Sequence, residues 1–367
     1  MFDLNRAHFF FKGRAALYAI LKAINVREND EIIIQAFTCL AVPNPILAIG
    51  AKPVYVDIHP DKLSLDVSKI EEKISSRTKA IIVQHTYGIP ADLDGVLQIT
   101  KKNNLYLIED ACHSLGSLYK SKETGSFGDA SFYSFGWAKP ITAGTGGCAV
   151  INNADLYHKM KKIYDEFEEP SLKDNLSIKM QHIIFSLFLN PKYFWFVRSA
   201  YRTLSNLGII GGTFSKEELN ADIFSAYKKK MPRLQKKTLI RELHSVNDNV
   251  KHRKWVVSLY EKSLEKLGLP PWNAGSDCQP VYLRYPILTK EKTRILQEAR
   301  KKSIEIGDWF NSPIHPLQEN EWKYVCYEKR SCPVAEKMSK QLITLPTYNK
   351  VKKENIGRSI HFLKRHL

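Results

Sequence analysis

"AIIVQHTYGIPADLDGVLQITKKNNLYLIEDA", Ala80–Ala111, sets two short apolar runs on either side of a stretch whose apolar residues recur at helical spacing. The outer runs, "AIIVQHTYG" and "LYLIEDA", suit buried strands, and Leu93 to Lys101 suits a helix. The same alternation extends toward the N-terminus. "GRAALYAILKAI" (13–24) reads as a helix, "EIIIQAF" (31–37) as a strand, "VPNPILAIG" (42–50) as a helix that Gly50 can cap, and "KPVYVDI" (52–58) as a strand. A helix is expected around Ser68 to Ile74, and two closely spaced strands at "ASFYSF" (130–135) and "GCAVIN" (147–152). Strands alternating with helices predict an α/β fold with a mainly parallel sheet covered on both faces. Ligands of such sheets gather beyond the carboxyl ends of the strands, where Asp57, His85, Asp110 and Ser134 stand.

At 367 residues the chain suits two domains, or one large α/β domain with a smaller one appended. Hydrophobic residues at 44% and charged residues at 25% exclude wholesale disorder and fibrous structure. The 55 Lys and Arg against 38 Asp and Glu leave a net charge of +17, which favours phosphate-bearing substrates, nucleic acid or an acidic membrane surface without choosing among them. The six cysteines, Cys39, Cys112, Cys148, Cys278, Cys326 and Cys332, form no CxxC pair and follow no signal peptide, so reduced thiols, no metal site and a cytoplasmic location are expected.

Past about Ala154 the alternation stops. The most apolar window, "IIFSLFLNPKYFWFV" (183–197), is broken by Asn190-Pro191-Lys192 and is too short for the about 20 apolar residues that span a bilayer. It reads as a packed lid or dimer helix, or as a segment lying on a membrane interface. The basic run "KKKMPRLQKKTLIREL" (228–243) has no nucleic-acid-binding signature beside it. A long helix follows through "VKHRKWVVSLYEKSLEKL" (250–267). "PVYLRYPIL", "TRILQEARKKSI", "LITLPTY" and "IGRSIHFLKRHL" then read as a smaller α+β domain. The expected division is 1–226, with a helical, aromatic and basic insertion at about 165–226, and 227–367.

The chemistry concentrates in "SFGWAKPITAGTGG" (134–147), where Lys139 stands among Phe135, Trp137, Ala138 and Pro140. A lysine amine attacks an aldehyde only when neutral, and desolvation favours that form. Pyridoxal phosphate requires such a lysine, a carboxylate that keeps its pyridine nitrogen protonated, and donors for its phosphate. Asp110, at a strand end in "LIEDACHSLG", suits the carboxylate. The helix opening "GRAAL" from Gly13 and the Ser134 hydroxyl suit the phosphate, and His113 can face the ring. The glycine-rich stretches lack GxGxxG and GxxxxGK spacing, which argues against a dinucleotide or P-loop site.

In order, "GRAAL", "QAFTC", "GAKPVYVDI", "HTYGIPADLD", "IEDACHSLGS", "GSFGDASFYSFGWAKPITAGTGG" and "CPVAEKMSKQLITLPTY" resemble the sugar aminotransferases of the DegT/StrS type. The resemblance covers about three quarters of the chain. It implies the aspartate-aminotransferase fold (fold type I), with a seven-stranded-type sheet, a homodimer whose site lies at the subunit interface, and pyridoxal 5'-phosphate as cofactor. It further implies that Lys139 forms the Schiff base, that Asp110 pairs with the pyridinium, and that His113 sits beside the ring. Ser134, Gly13, Arg14 and Ala15 would hold the phosphate. Cys39 stands where relatives often carry an aromatic on the cofactor face, Arg14 where they carry Thr, and Lys228 to Lys230 where an interface segment begins with Asn. His315, in "GDWFNSPIHP", would touch substrate. A sister group of dehydratases has histidine in place of the Schiff-base lysine, so Lys139 points away from it.

The implied reaction is ping-pong transfer of an amino group from glutamate to a keto-sugar, nucleotide-linked in this reading, in amino-sugar and cell-surface polysaccharide synthesis. Two alternatives stay open at this stage. One is the same cofactor chemistry on a membrane-associated or lipid-linked acceptor, with peripheral contact to an acidic membrane. The other is a non-catalytic basic regulatory protein of the same fold.

Overall fold

A computed structural model of the chain describes residues 3–136, 139–172, 174–176, 178–179, 183, 195–197, 199–200, 203 and 228–367. Fourteen strands are seen among them: β1 (Ala7–Phe10), β2 (Glu31–Gln35), β3 (Thr38–Cys39), β4 (Lys52–Val56), β5 (Thr78–Gln84), β6 (Tyr106–Asp110), β7 (Leu118–Tyr119), β8 (Lys122–Glu123), β9 (Ala130–Ser134), β10 (Gly147–Ile151), β11 (Cys278–Gln279), β12 (Arg284–Leu288), β13 (Ile314–His315) and β14 (Leu342–Pro346). The helices described are α1 (Gly13–Ala23), α2 (Pro43–Leu47), α3 (Leu93–Lys102), α4 (Ala154–Asp165), α5 (Arg233–His244), α6 (Val246–Glu265), α7 (Lys292–Lys301), α8 (Pro333–Gln341) and α9 (Lys353–Leu363).

The main sheet has seven strands in the order β1-β10-β9-β6-β5-β2-β4. The run β4, β2, β5, β6, β9 is parallel, and β10 and β1 close one edge antiparallel. This is the mainly parallel α/β sheet that the alternation predicts. The central strands are apolar through their middles, residues 32–34 in β2 and 80–83 in β5, because helices cover both faces and no solvent face demands alternating polar residues. Between Ser68 and Ile74 the expected helix is instead two single 3-10 turns, Val67–Lys69 and Glu71–Lys73, the first capped by Asp66 accepting Ser68 N–H. Ile70 alone is buried there, too little apolar surface to hold a continuous helix.

After α6, β12 and β14 pair antiparallel, with α7, α8 and α9 around them. Outside the main sheet, this C-terminal α+β part also pairs with the N-terminal part: β13 runs parallel to β3, setting Ile314 opposite Thr38 and His315 opposite Cys39. The window 183–197 lies outside the described residues except for 183 and 195–197, and Trp137 and Ala138 lie outside them too. Among the described residues no helix is long and apolar enough to cross a membrane.

Candidate active site

Adjacent parallel strands place the first two groups. β6 ends at Asp110 and β9 at Ser134, and the pairing of the two strands sets Asp110 opposite Phe132. Their carboxyl ends therefore share one rim of the sheet. Asp110 is buried and its Oδ1 accepts Cys112 N–H at 3.1 Å. Burial pushes its carboxyl above the usual range, while the Lys139 charge and the Cys112 hydrogen bonds pull the other way.

Lys139 sits in the loop between β9 and β10. The loop folds back on itself: Phe135 N–H donates to Gly146 O at 3.0 Å, Ala143 N–H to Phe135 O at 2.9 Å, and Lys139 N–H to Gly136 O at 3.1 Å. Two helices hold it from outside. Gln235 Nε2 on α5 donates to Thr145 O at 3.0 Å, and Arg253 Nη2 on α6 donates to Pro140 O at 3.4 Å. Lys139 Nζ lies over the Trp309 ring, 4.9 Å from its centroid.

His113 is buried behind the same amine. Burial first, and then the Lys139 charge, hold its imidazole well below the usual range, so the ring is neutral. Its Nδ1 accepts Tyr87 N–H at 3.3 Å, which leaves Nε2 to carry the proton. Its ring stacks parallel to Tyr87 and meets Trp309 at 4.9 Å. Burial raises the Cys39 thiol, with Lys139 and Arg14 opposing, so Cys39 stands in the same charge field as a neutral thiol. Its strand partner His315 is half-buried, with Nδ1 2.6 Å from Asn311 Oδ1 and its ring against Trp309 and Phe310.

The start of α1 packs against Ser134. A Cβ on Gly13 would lie 3.0 Å from Ser134 Cβ, and one on Gly147 would lie 2.4 Å from Gly13 Cα, so both glycines are needed for the helix to begin this close. No side chain caps this N-terminus: Lys12, at the N-cap, makes no such hydrogen bond. Arg14 and Ala15 in its first turn are buried. An amine facing a buried carboxyl, a neutral imidazole, a hydroxyl and a helix start fit an aldehyde-bearing aromatic ring with an anionic tail. Lys228 is exposed, its carbonyl accepting Glu168 N–H at 2.7 Å, and no contact among the described residues brings its side chain to Lys139.

Two strand-end residues do other work. Asp57 caps α8, accepting Val334 N–H at 3.0 Å and Ala335 N–H at 2.9 Å. His85 is wholly buried against Glu109, Nε2 to Oε2 3.0 Å, and Glu109 also accepts the N–H groups of Gly125, Phe127 and Gly128. That pair fixes the turn beneath the site from the face of β6 opposite Asp110.

Three residues that sequence reasoning passed over reach the site: Trp309, Tyr87 and Arg253. Arg253 could have been found, since it lies on the apolar stripe of α6 with Val256, Val257, Tyr260 and Leu264. Trp309 and Tyr87 carry no such signal. A groove of about 700 Å³, lined by Lys254, Glu261, Trp272 and Tyr282 among others, contains none of the candidate residues. Among the described residues no cluster of His, Cys, Asp or Glu could hold a metal ion.

GDP-perosamine synthase of Escherichia coli O157:H7 is 29% identical over 346 residues, 94% of this chain and 81% of that protein. The UDP-N-acetyl-3-dehydro-alpha-D-glucosamine 3-aminotransferase of Acidithiobacillus ferrooxidans is 26% identical over 357 residues, 97% and 82% of the two chains. A sugar aminotransferase candidate from Streptococcus pneumoniae, solved in its PLP form, shares the fold with a TM-score of 0.76 at 22% identity, over 98% of this chain and 86% of that one. The model of the DegT/DnrJ/EryC1/StrS aminotransferase family matches residues 10–364, and the chain belongs to that family.

Proposed function

We propose that this aminotransferase moves an amino group from an amino acid, with glutamate as donor, to a keto-sugar carried on a nucleoside diphosphate, using pyridoxal 5'-phosphate. The observation that carries the reading is the single charge field at the strand ends: the Lys139 ammonium acts at once on Asp110, His113 and Cys39. When bound, the cofactor supplies an aldehyde carbon that exchanges amines and a ring that takes up the electron pair left when a C–H bond breaks.

The chain's own residues do the rest. Lys139 Nζ would hold the cofactor through its aldehyde carbon and, when free of it, would carry the proton removed from the donor's Cα. Asp110 keeps the ring nitrogen protonated, and a cation placed there offsets the burial that raises its own carboxyl. The Ser134 hydroxyl and the first turn of α1, from Gly13 through Arg14 and Ala15, receive the phosphate. His113, neutral, would stand beside the ring with Nε2–H as donor, and Cys39 and His315, paired across β3 and β13, would line the site. Lys228 is assigned to the same phosphate from a second copy of the chain, in a homodimer. That the relatives' names carry GDP- and UDP-linked sugars supports a nucleotide-linked acceptor, as does the +17 charge.

The test is to reduce the purified protein with borohydride and map the labelled peptide. Visible cofactor absorption should vanish, the adduct should lie on Lys139, and Lys139→Ala should neither label nor turn over. Labelling on any other lysine removes the assignment.

A further inference from the structure

We infer that Trp309 is the platform on which the acceptor's sugar ring lies, and so a specificity-determining residue of the second half-reaction; the inference rests on the nucleotide-sugar reading above. Its indole is half-buried, 4.9 Å from Lys139 Nζ and 4.9 Å from the His113 ring. Whatever reacts at Lys139 must pass beside it.

The backbone carrying Trp309 is fixed on both sides. Buried Lys292 Nζ donates to Asp308 O at 3.4 Å, Phe310 O at 3.1 Å and Ser339 O at 2.6 Å. Tyr87 Oη accepts Phe310 N–H at 2.8 Å and donates to Trp309 O. Tyr87 is fully buried and packs against Phe37 and Phe310. The carbonyls of residues 308, 309 and 310 are thus all engaged. An aromatic held this firmly presents a surface whose ordering entropy is already spent, which is what a stacking platform needs.

Three groups of the substrates could meet this surface. The donor's two carboxylates are repelled by the negative face of an indole. The nucleobase is separated from the reacting carbon by two phosphates and the sugar itself. What remains is the pyranose, whose axial C–H groups form an apolar face with positive edge charge suited to an indole. Trp309 therefore distinguishes the two half-reactions: it should matter for acceptor and hardly for donor.

The experiment uses holoenzyme and follows each half-reaction by cofactor absorption. Donor is L-glutamate; acceptors are dTDP-, GDP- and UDP-linked 4-keto-6-deoxyhexoses, with equilibrium binding of the same compounds measured by calorimetry. For Trp309→Ala we expect the acceptor's Kd and KM to rise about tenfold, equivalent to ~1.4 kcal/mol, and those of glutamate to stay within about twofold. Trp309→Phe, which keeps a smaller ring, should fall between. Equal losses in both half-reactions, or acceptor binding unmoved in both variants, overturn the platform. A wild-type protein that takes no amine from glutamate, or passes none to any of these acceptors, overturns the underlying reading and the platform with it.

Discussion

A carboxyl buried in the cofactor-free fold is a strained group, and Asp110 is one. Its folded-state pKa lies above the unfolded value, with burial the main cause. The sign follows: such an acid contributes stability fully present below its unfolded pKa, and that contribution is lost as pH rises through the folded pKa. Above its folded-state pKa the ionised Asp110 therefore weakens the cofactor-free fold. Asp110→Asn should stabilise the apoprotein at pH 8 by the ~0.5–2 kcal/mol typical of relieving a functional strain, and the gain should shrink toward pH 4. Added pyridoxal phosphate should raise the wild-type melting temperature more than that of the variant, since the ligand stabilises only the fold that binds it. Thermal unfolding at both pH values, with and without cofactor, decides it; an apo variant less stable than wild type at pH 8 would mean Lys139 already neutralises the charge. Residues as odd as this one are legible in sequence because their chemistry is out of place: a lysine among aromatics, a carboxylate ending an apolar strand. Tyr87 and Trp309 are not, because an aromatic beside apolar residues looks like core wherever it occurs, and these two meet across 222 positions.

At the scale of elements, the crossing of α1 over β10 sets where a phosphate can sit. Gly147 opposes Ser134 in the β9–β10 register, and a Cβ there would meet Gly13 Cα, Gly13 N and Lys12 O, all backbone atoms and all within 2.5 Å. Nothing flexible can yield, so Gly147→Ala should push the start of α1 off Ser134. We expect ~1–3 kcal/mol of destabilisation and weaker cofactor binding. Gly357, exposed in α9 with nothing within 4 Å of its would-be Cβ, is the control: Gly357→Ala should stabilise by ~0.5–1 kcal/mol and leave cofactor binding unchanged. Urea unfolding and cofactor titration of both variants separate close packing from helix propensity; equal behaviour would show that α1 can shift freely. The elements themselves were legible because strand–helix–strand units are local. Asp57 shows the boundary of that logic. A strand-end carboxylate serves either a ligand or a helix start, and the N–H groups that Asp57 accepts lie 277 and 278 residues further along.

Over the whole molecule, the large sheet follows from local alternation, whereas the C-terminal part meets the site through long-range contacts, among them the pairing of β13 with β3, two residues each. Strands that short carry no periodicity, so the pairing that brings His315 beside Cys39 is invisible until the chain is folded. Net charge, by contrast, is read from composition and acts at long range. A chain of +17 attracts anions over a distance set by screening, roughly 10 Å at 0.1 M salt. The proposed acceptor, a nucleoside-diphosphate sugar, carries about two negative charges on its phosphates and glutamate, the proposed donor, one net, so steering should favour the acceptor. We therefore expect kcat/KM for the acceptor to fall several-fold between about 0.05 and 0.5 M NaCl, more steeply than kcat/KM for glutamate, with kcat of both little changed. Stopped-flow measurement of each half-reaction across that range gives the two slopes. Parallel slopes would locate the excess charge away from the acceptor's approach and leave the recognition of its phosphates to short-range contacts alone.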